Sequence, residues 1–299
     1  MLPETAPALL NVLTVDVEEY YHGVEFTKAL SPSQLRRLPS RVVPSTERLL
    51  DLCDEHGARG TFFVLGVVAQ RHPRLVRAIA ERGHEIAAHG WDHTLVDALG
   101  PQRFREDVRR TKRVLEQAAG QPIWGYRAPN YSIRRDTPWA FPTLWEEGYT
   151  YDSSIHPIAH DRYGFPDAPR FPHVAVAVDG VDFWEVPVGT ARLAGTNLPI
   201  GGGFFRLFPL RLLRGALRSI NRRDRRAAVL YVHPWEFDPG QPRPAGMSGM
   251  HRFRHYVGLA GSTAKLAALL REFAFTSIAI ALPQVRPARL HVPSASSCA

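Results

Sequence analysis

Short runs rich in apolar residues that favour β-strands alternate along this chain with segments in which apolar residues recur every three or four positions. The short runs predict β-strands at 12–17, 61–65, 85–88, 123–126, 149–152, 183–188, 229–232 and 275–281. The second pattern predicts amphipathic helices, the first of them capped by Ser45 and ended by Gly57. Further helices are predicted from Pro73 to Gly83 and over the segment that Gly120 closes.

Repeated alternation of strands and helices indicates an α/β fold with a parallel sheet, and this number of repeats favours a barrel over an open sheet. The alternation extends from about residue 10 to residue 282, so we expect a single domain. Residues 283–299 are rich in Pro, Ser and Ala, which predicts a disordered tail.

The composition is that of an ordinary globular protein, with 44% hydrophobic and 22% charged residues among 299. Two cysteines exclude a disulfide scaffold. No apolar run reaches the roughly 20 residues that a membrane span needs, and no basic segment precedes an apolar one at the start of the sequence. We therefore expect a cytoplasmic protein.

Positive charge is concentrated in one segment, 206–226, where eight arginines face the single Asp224, a net charge of +7 out of +8 for the chain. Arg211, Arg214, Arg218 and Arg222 are spaced 3, 4 and 4 apart, which places them on one side of a helix. This segment is either a solvated helix face or a contact for a membrane surface or an anionic glycan. We expect no nucleic-acid partner, because no nucleic-acid-binding motif accompanies the arginines.

Unusual polar residues lie at the ends of four of the predicted strands. Asp16 and Glu18 end the first, His89 and His93 follow the third, Arg127 follows 123–126, and His233 follows 229–232. The carboxyl ends of parallel strands in a barrel share one rim, where catalytic residues are found. The sequence therefore predicts one site assembled from distant segments.

The residue types at these positions suggest metal-assisted acid–base chemistry. His89 and His93 suit a divalent transition metal, and a carboxylate from another strand completes a set of three ligands. Asp16 and Glu18 lie two apart and face the same side, so one can bind metal while the other acts as base. His233 is either a general acid or a core histidine. Arg127 either orients a carboxylate or lies on the surface.

Five short motifs in this order resemble those of the polysaccharide deacetylases of the NodB-homology type, carbohydrate esterase family 4. They are Thr14-Val-Asp-Val-Glu18, His89-Gly-Trp-Asp-His93, Arg127-Ala-Pro-Asn-Tyr131, Tyr151-Asp-Ser-Ser154 and Tyr231-Val-His233. The segments Gly201-Gly-Gly-Phe-Phe-Arg206 and His233-Pro-Trp-Glu-Phe-Asp-Pro239 further resemble the branch found at exopolysaccharide and exosortase (PEP-CTERM) loci. Members of that branch have a C-terminal extension, which would begin near residue 155 here.

The resemblance implies a distorted, incomplete (β/α) barrel that hydrolyses N-acetyl groups on a polysaccharide containing amino sugars, in exopolysaccharide biosynthesis. It implies one divalent metal, zinc or another transition metal, bound by His89, His93 and Glu18, with Glu19 as the alternative carboxylate.

The resemblance also implies a role for each remaining polar residue. Asp16 is the general base, and Arg127 orients it. His233 is the general acid, and Asp152 supports the acid side. The backbone N–H of Tyr131 is expected to bind the oxyanion.

Aromatic residues beside these motifs are candidates for stacking on sugar rings, and barrel packing is the alternative. They are Tyr20, Tyr21, Trp91 and Trp235.

Two other functions remain open at this point. One is a metal-independent amidohydrolase acting on a small cyclic ureide or imide, and the other is a polysaccharide-binding component without catalytic activity. An exopolysaccharide is assembled at the membrane, so the basic segment 206–226 also suggests a position at the inner face of the membrane.

Overall fold

The computed structural model describes residues 9–160, 163–178 and 180–283. The strands in these ranges are β1 Asn11–Val17, β2 Thr61–Val64, β3 Glu85–Ala88, β4 Gly125–Tyr126, β5 Tyr151–Asp152, β6 His173–Val178, β7 Val181–Glu185, β8 Thr190–Leu193, β9 Thr196–Pro199, β10 Val229–Val232 and β11 Phe275–Thr276. The helices are α1 Val24–Ala29, α2 Pro32–Leu35, α3 Val42–Glu55, α4 Gly66–Arg71, α5 Pro73–Glu81, α6 Val96–Ala119, α7 Ala140–Glu146, α8 Gly202–Leu207, α9 Leu210–Ser219, α10 Gly249–Tyr256, α11 Ser262–Glu272 and α12 Ile278–Ala281.

One sheet organises the molecule, with strand order β10-β1-β2-β3-β4-β5-β7-β6 and with β11 beside β1. Neighbouring strands are parallel except β6 and β7, which form an antiparallel pair at one edge. Strands β8 and β9 form a separate hairpin. In the described residues β10 and β6 remain the two edges, so the sheet does not close. The expected α/β fold with an incomplete barrel is confirmed.

The alternation of side chains along β1 explains how a buried strand also carries a polar side chain at its end. Leu13 and Val15 belong to the main hydrophobic core. Val12 lies on the other face, in a smaller cluster with Phe63. Because side chains alternate along a strand, Asp16 shares the face of Val12. The carboxylate therefore emerges at the end of the strand on the inner face of the sheet.

Several predicted boundaries are wrong: the strands expected at 123–126, 149–152 and 183–188 are Gly125–Tyr126, Tyr151–Asp152 and Val181–Glu185. Two further differences have a clear structural reason. Helix α3 begins at Val42, three residues before the predicted cap, so that Ser45 is buried inside the helix. The run 275–281 is a strand only at Phe275–Thr276 and is then a helix. The first backbone N–H of that helix, at Ile278, donates to the Thr61 hydroxyl at 2.8 Å, a tertiary contact that the apolar pattern does not contain.

The basic segment 206–226 is not one continuous cationic face. Arg206 is buried and paired with Glu236. Arg214 and Arg218 of α9 both bind Glu272, each at 2.7 Å. The arginines of this segment that are exposed are Arg211, Arg218, Arg222, Arg223, Arg225 and Arg226.

Residues 284–299 of the predicted tail lie outside the described residues. Among the helices in the described part of the chain, none has both the length and the apolarity required to cross a bilayer.

Candidate active site

A cavity of about 580 Å³ opens at the carboxyl ends of the parallel strands. Its lining includes most of the polar residues that the sequence analysis selected, namely Asp16, Glu18, His89, His93, Tyr131, His233 and Trp235. Parallel strands β1, β3 and β10 end at this rim, so residues far apart in the sequence lie side by side. The structure thus brings the predicted site together.

Glu18, His89 and His93 form a three-residue donor set whose candidate ligand atoms lie within 4.8 Å of one another. Nε2 of His93 is 2.7 Å from Oε2 of Glu18. Nδ1 of His89 pairs with the backbone oxygen of Arg127 at 2.8 Å, so that its Nε2 is available to a metal. A backbone carbonyl on the second ring nitrogen is typical of metal-binding histidines. One carboxylate and two imidazoles fit zinc and related divalent cations.

The protonation of this donor set is suited to metal binding. Burial lowers the pKa of His89 to about 4, so the ring is neutral near neutral pH, as a ligand must be. Burial alone would raise the pKa of Glu18, but the neighbouring His93 and His233 outweigh it and hold that pKa below its ordinary value. Glu18 is therefore ionised and His89 is neutral.

The alternative carboxylate, Glu19, faces away from the histidines. Its two oxygens accept hydrogen bonds from the Ser40 hydroxyl and from the backbone N–H of Arg41. Glu18 instead accepts a hydrogen bond from Nε1 of Trp235 at 3.1 Å and lies among the histidines. The geometry favours Glu18 over Glu19 as the acidic ligand.

Asp16 is held by a buried arginine. Nη1 of Arg127 donates to Oδ1 of Asp16 at 2.7 Å and to the Thr14 hydroxyl at 2.9 Å. The same guanidinium donates to the backbone oxygen and the hydroxyl of Ser153, and it lies 4.1 Å from the ring centre of Phe63. Arg127 is 0% exposed, so it orients Asp16 and is not a surface residue.

His233 lies beside Asp16, with Nε2 3.9 Å from Oδ2 of that carboxylate. Its other ring nitrogen, Nδ1, is 3.4 Å from Oε2 of Glu236. Burial would lower the pKa of His233, but the charge of Glu236, aided by Glu18 and Asp16, outweighs it and raises that pKa to about 9. A histidine that is protonated near neutral pH can act as a general acid.

The expectation that Asp152 supports the acid side is corrected. Its carboxylate accepts hydrogen bonds from the backbone N–H and the hydroxyl of Ser154 and lies against Glu185. Both acids are fully buried, and burial raises the pKa of Asp152 to about 6. In the structure the carboxylate that faces His233 is Glu236. Glu236 lies three residues after a histidine at the end of a strand, and this spacing is the sequence feature that could have identified it.

The predicted aromatic contacts divide into two groups. Trp235 and Tyr131 line the cavity, and the Trp235 ring is stacked with that of His233. Trp91 instead lies between Gly66 and the guanidinium of Arg110, which is 3.4 Å from the ring centre.

Tyr20 and Tyr21 pack against each other and do not line the cavity. The backbone N–H of Tyr131, expected to bind the oxyanion, donates to the Ala128 carbonyl at 3.1 Å. The substrate contacts expected of Trp91 and Tyr21 are therefore not supported.

The fold and this site define an α/β protein whose titratable side chains meet at the carboxyl ends of parallel strands. In comparison with known proteins, residues 39–143, about a third of the chain, match the model of the family described as polysaccharide deacetylase. Residues 153–282 match a domain of unknown function (DUF3473). The second match begins near residue 155, where the extension is expected.

Individual relatives agree with this class. A peptidoglycan-N-acetylglucosamine deacetylase of Bacillus cereus is 31% identical over 104 residues, which cover 35% of this chain and 47% of that protein. A chitooligosaccharide deacetylase of Sinorhizobium fredii is 34% identical over 92 residues, covering 30% of this chain and 42% of that protein. The aligned segments thus span less than half of each relative.

A crystal structure from Mycobacterium smegmatis, provisionally classed as a polysaccharide deacetylase, covers 91% of this chain and 94% of that one, with a TM-score of 0.54 at 24% identity. That likeness shows a shared fold. The polysaccharide deacetylase model and the deacetylase relatives thus each match part of this chain, and the crystal structure shares its fold. None of them tests the exosortase-locus branch.

Proposed function

We propose that this protein is a metal-dependent hydrolase that removes N-acetyl groups from a polysaccharide containing amino sugars. The main support is one arrangement: the donor set Glu18, His89 and His93 shares a cavity with a carboxylate and an imidazole that lie 3.9 Å apart. A binding protein needs no such acid–base pair. The names of the relatives point to N-acetylated glycans as the substrate class.

Glu18, His89 and His93 would hold the divalent cation, zinc or another transition metal, which when bound supplies Lewis acidity towards the acetyl carbonyl and the attacking water. Asp16, fixed by Arg127, accepts a proton from that water as the oxygen attacks the acetyl carbon. His233 donates a proton to the amide nitrogen as the carbon–nitrogen bond breaks. The products are acetate and a free amine on the sugar.

We place this activity in exopolysaccharide biosynthesis, in the cytoplasm and at the inner face of the membrane. The support is the motif resemblance together with the exposed arginines of segment 206–226. A polymer under assembly at the membrane would then be the substrate, and the arginines would contact anionic lipid or an anionic glycan.

Acetate release from chitopentaose tests the proposal. The purified protein should release acetate, lose that activity on treatment with a strong chelator, and regain it when zinc or cobalt is added back. Activity that survives complete metal removal would instead favour a metal-independent amidohydrolase. A metal-loaded protein that binds chitopentaose but releases no acetate would favour a polysaccharide-binding component.

A further inference from the structure

A buried carboxylate lies directly behind the candidate general acid. Glu236 is the third residue of the 3₁₀ turn Pro234–Phe237, which follows His233, and it is 0% exposed. Its Oε2 accepts the backbone N–H of His233 at 2.9 Å and lies 3.4 Å from Nδ1 of the same residue. One oxygen of Glu236 therefore faces both the backbone and the ring of His233.

The other oxygen of Glu236 is bound by a guanidinium that is itself fully engaged. Nε of Arg206 donates to Oε1 of Glu236 at 2.8 Å, and Arg206 is only 5% exposed. Its Nη1 donates to the backbone oxygens of His255 and Val257 at 2.6 and 3.0 Å, and its Nη2 to that of Arg254 at 3.2 Å. Because all three nitrogens of this planar guanidinium donate hydrogen bonds, Arg206 fixes the Glu236 carboxylate in position and keeps it ionised.

These contacts determine which ring nitrogen of His233 faces the cavity. Nδ1 is directed at Glu236, and Nε2 is directed towards the carboxylates of Asp16 and Glu18, 3.9 Å from each. A carboxylate on Nδ1 keeps a proton there, so that Nε2 is the nitrogen that gains and gives up the catalytic proton. We propose that Glu236, held by Arg206, is the positioning residue that fixes the orientation and tautomer of His233.

The same pair joins His233 to one wall of the cavity. Met250 and Phe253 of α10 line the cavity. The three carbonyls that Arg206 binds, those of Arg254, His255 and Val257, lie at the C-terminal end of that helix. The Arg206–Glu236 pair therefore anchors the end of α10 and the imidazole to one another. The segment 153–282 thus supplies the acid, its positioning residue and part of the cavity wall.

This inference rests on the proposed function, and two variants with a matched control test it. Glu236→Gln preserves shape and removes the charge, so kcat on chitopentaose should fall about 10²-fold while KM changes less than threefold and the metal content is unchanged. Arg206→Lys should give a smaller loss in the same direction. The control, Glu272→Gln, removes the carboxylate of α11 that pairs with Arg214 and Arg218 of α9 away from the cavity, and it should keep the wild-type rate.

A spectroscopic measurement on the wild-type protein tests whether Glu236 fixes the tautomer of His233, even if Glu236→Gln folds poorly. In long-range ¹H–¹⁵N spectra of the full wild-type chain, recorded at a pH above the raised pKa of His233, the neutral ring should be the Nδ1–H tautomer. Free histidine favours the Nε2–H form, and Glu236→Gln should shift the ring towards it. A wild-type ring in the Nε2–H form, or a Glu236→Gln enzyme with kcat within twofold of wild type, would overturn the inference. A wild-type protein that is inactive on N-acetylated glycans but shows the Nδ1–H tautomer would refute the proposed function alone.

Discussion

Asp16 is the residue on which the proposed reaction depends most directly. Arg127 and its partners fix the position of this carboxylate, so replacing it by the isosteric amide removes its basicity with little change in shape. We predict that Asp16→Asn retains its metal but loses turnover by about 10²–10⁴-fold, the usual contribution of a general base. Acetate release and metal content, measured on the same preparation, check this. A near-normal rate would assign the base to another carboxylate.

His84 gives a prediction about stability that does not involve the site. It is 3% exposed, Nδ1 accepts the backbone N–H of Gly60 at 3.1 Å, and burial lowers its pKa to about 4 from 6.5. The unfolded chain takes up a proton below pH 6.5, whereas the folded chain does so only near pH 4. The stability that the neutral ring contributes is therefore present above pH 6.5 and is lost as the pH falls from 6.5 to 4.

The measurement is the free energy of unfolding in urea at pH 7 and pH 4.5. Relative to wild type, His84→Gln should lose about 2 kcal/mol less on acidification. His251→Gln, at a partly exposed position, is the control. Equal losses for wild type and His84→Gln would show that this ring does not contribute to acid sensitivity.

Residue-level prediction from the sequence worked where the position along a strand determines the outcome. Asp16, His89 and His233 were found because each lies at or directly after the end of a buried strand, and strand ends meet at one rim. It failed where the contact depends on which segments pack together. Glu236 faces His233 because Arg206, on a helix distant in the sequence, binds its carboxylate. The Asp152 carboxylate instead accepts a hydrogen bond from Ser154.

At the scale of elements, helix α6 holds the loop that contains His89 and His93. Asp107 of α6 accepts the backbone N–H of Trp91 with both oxygens, at 3.0 and 3.2 Å. The loop includes Gly90 and His93, both of which have positive φ. Because this backbone conformation is unfavourable for a residue with a side chain, the loop needs hydrogen bonds such as these to hold it. Asp107 therefore positions the two imidazoles without contacting either.

Removing that support should weaken metal binding. We predict that Asp107→Ala lowers the affinity for zinc about 10-fold, within the range seen when groups behind metal ligands are lost. Asp107→Asn retains an acceptor and should bind zinc nearly as well as wild type. Competition with a chromophoric chelator gives the dissociation constants. An Asp107→Ala protein with wild-type affinity would contradict this role.

Element boundaries show where the sequence pattern is ambiguous. The segment 275–281, apolar except for Thr276 and Ser277, suits a buried strand or a buried helix. Tertiary hydrogen bonds to Thr61 and Glu85 determine the change to helix at Ile278. The kink of α6 at Gly100 and the antiparallel pair β6–β7 also depend on contacts that periodicity does not show. The parallel strands nearest the site were predicted best.

At the scale of the whole molecule, the last arginines of the basic segment and the active site lie at opposite ends of β10. Arg225 and Arg226 precede β10, whereas His233 follows it. Contact of these arginines with a membrane would therefore leave the cavity facing away from their point of attachment. The membrane contact proposed above should accordingly affect where the enzyme is located and leave its chemistry unchanged.

Liposome sedimentation separates these effects. Replacing Arg211, Arg222, Arg225 and Arg226 by Gln should reduce sedimentation with anionic vesicles at low salt, since each basic group near such a surface contributes on the order of 1 kcal/mol. Acetate release from chitopentaose should be unchanged. Wild-type protein that does not sediment with anionic vesicles would identify these arginines as a solvated face.

The position of the metal tests the central claim most directly. Anomalous scattering at the zinc absorption edge, from crystals of the metal-loaded protein, should show one peak bounded by Glu18, His89 and His93, beside Asp16 and His233. That result would place the cation where the proposed chemistry requires it. A single peak elsewhere in the molecule, or a fully active protein without a peak among these three residues, would contradict the account.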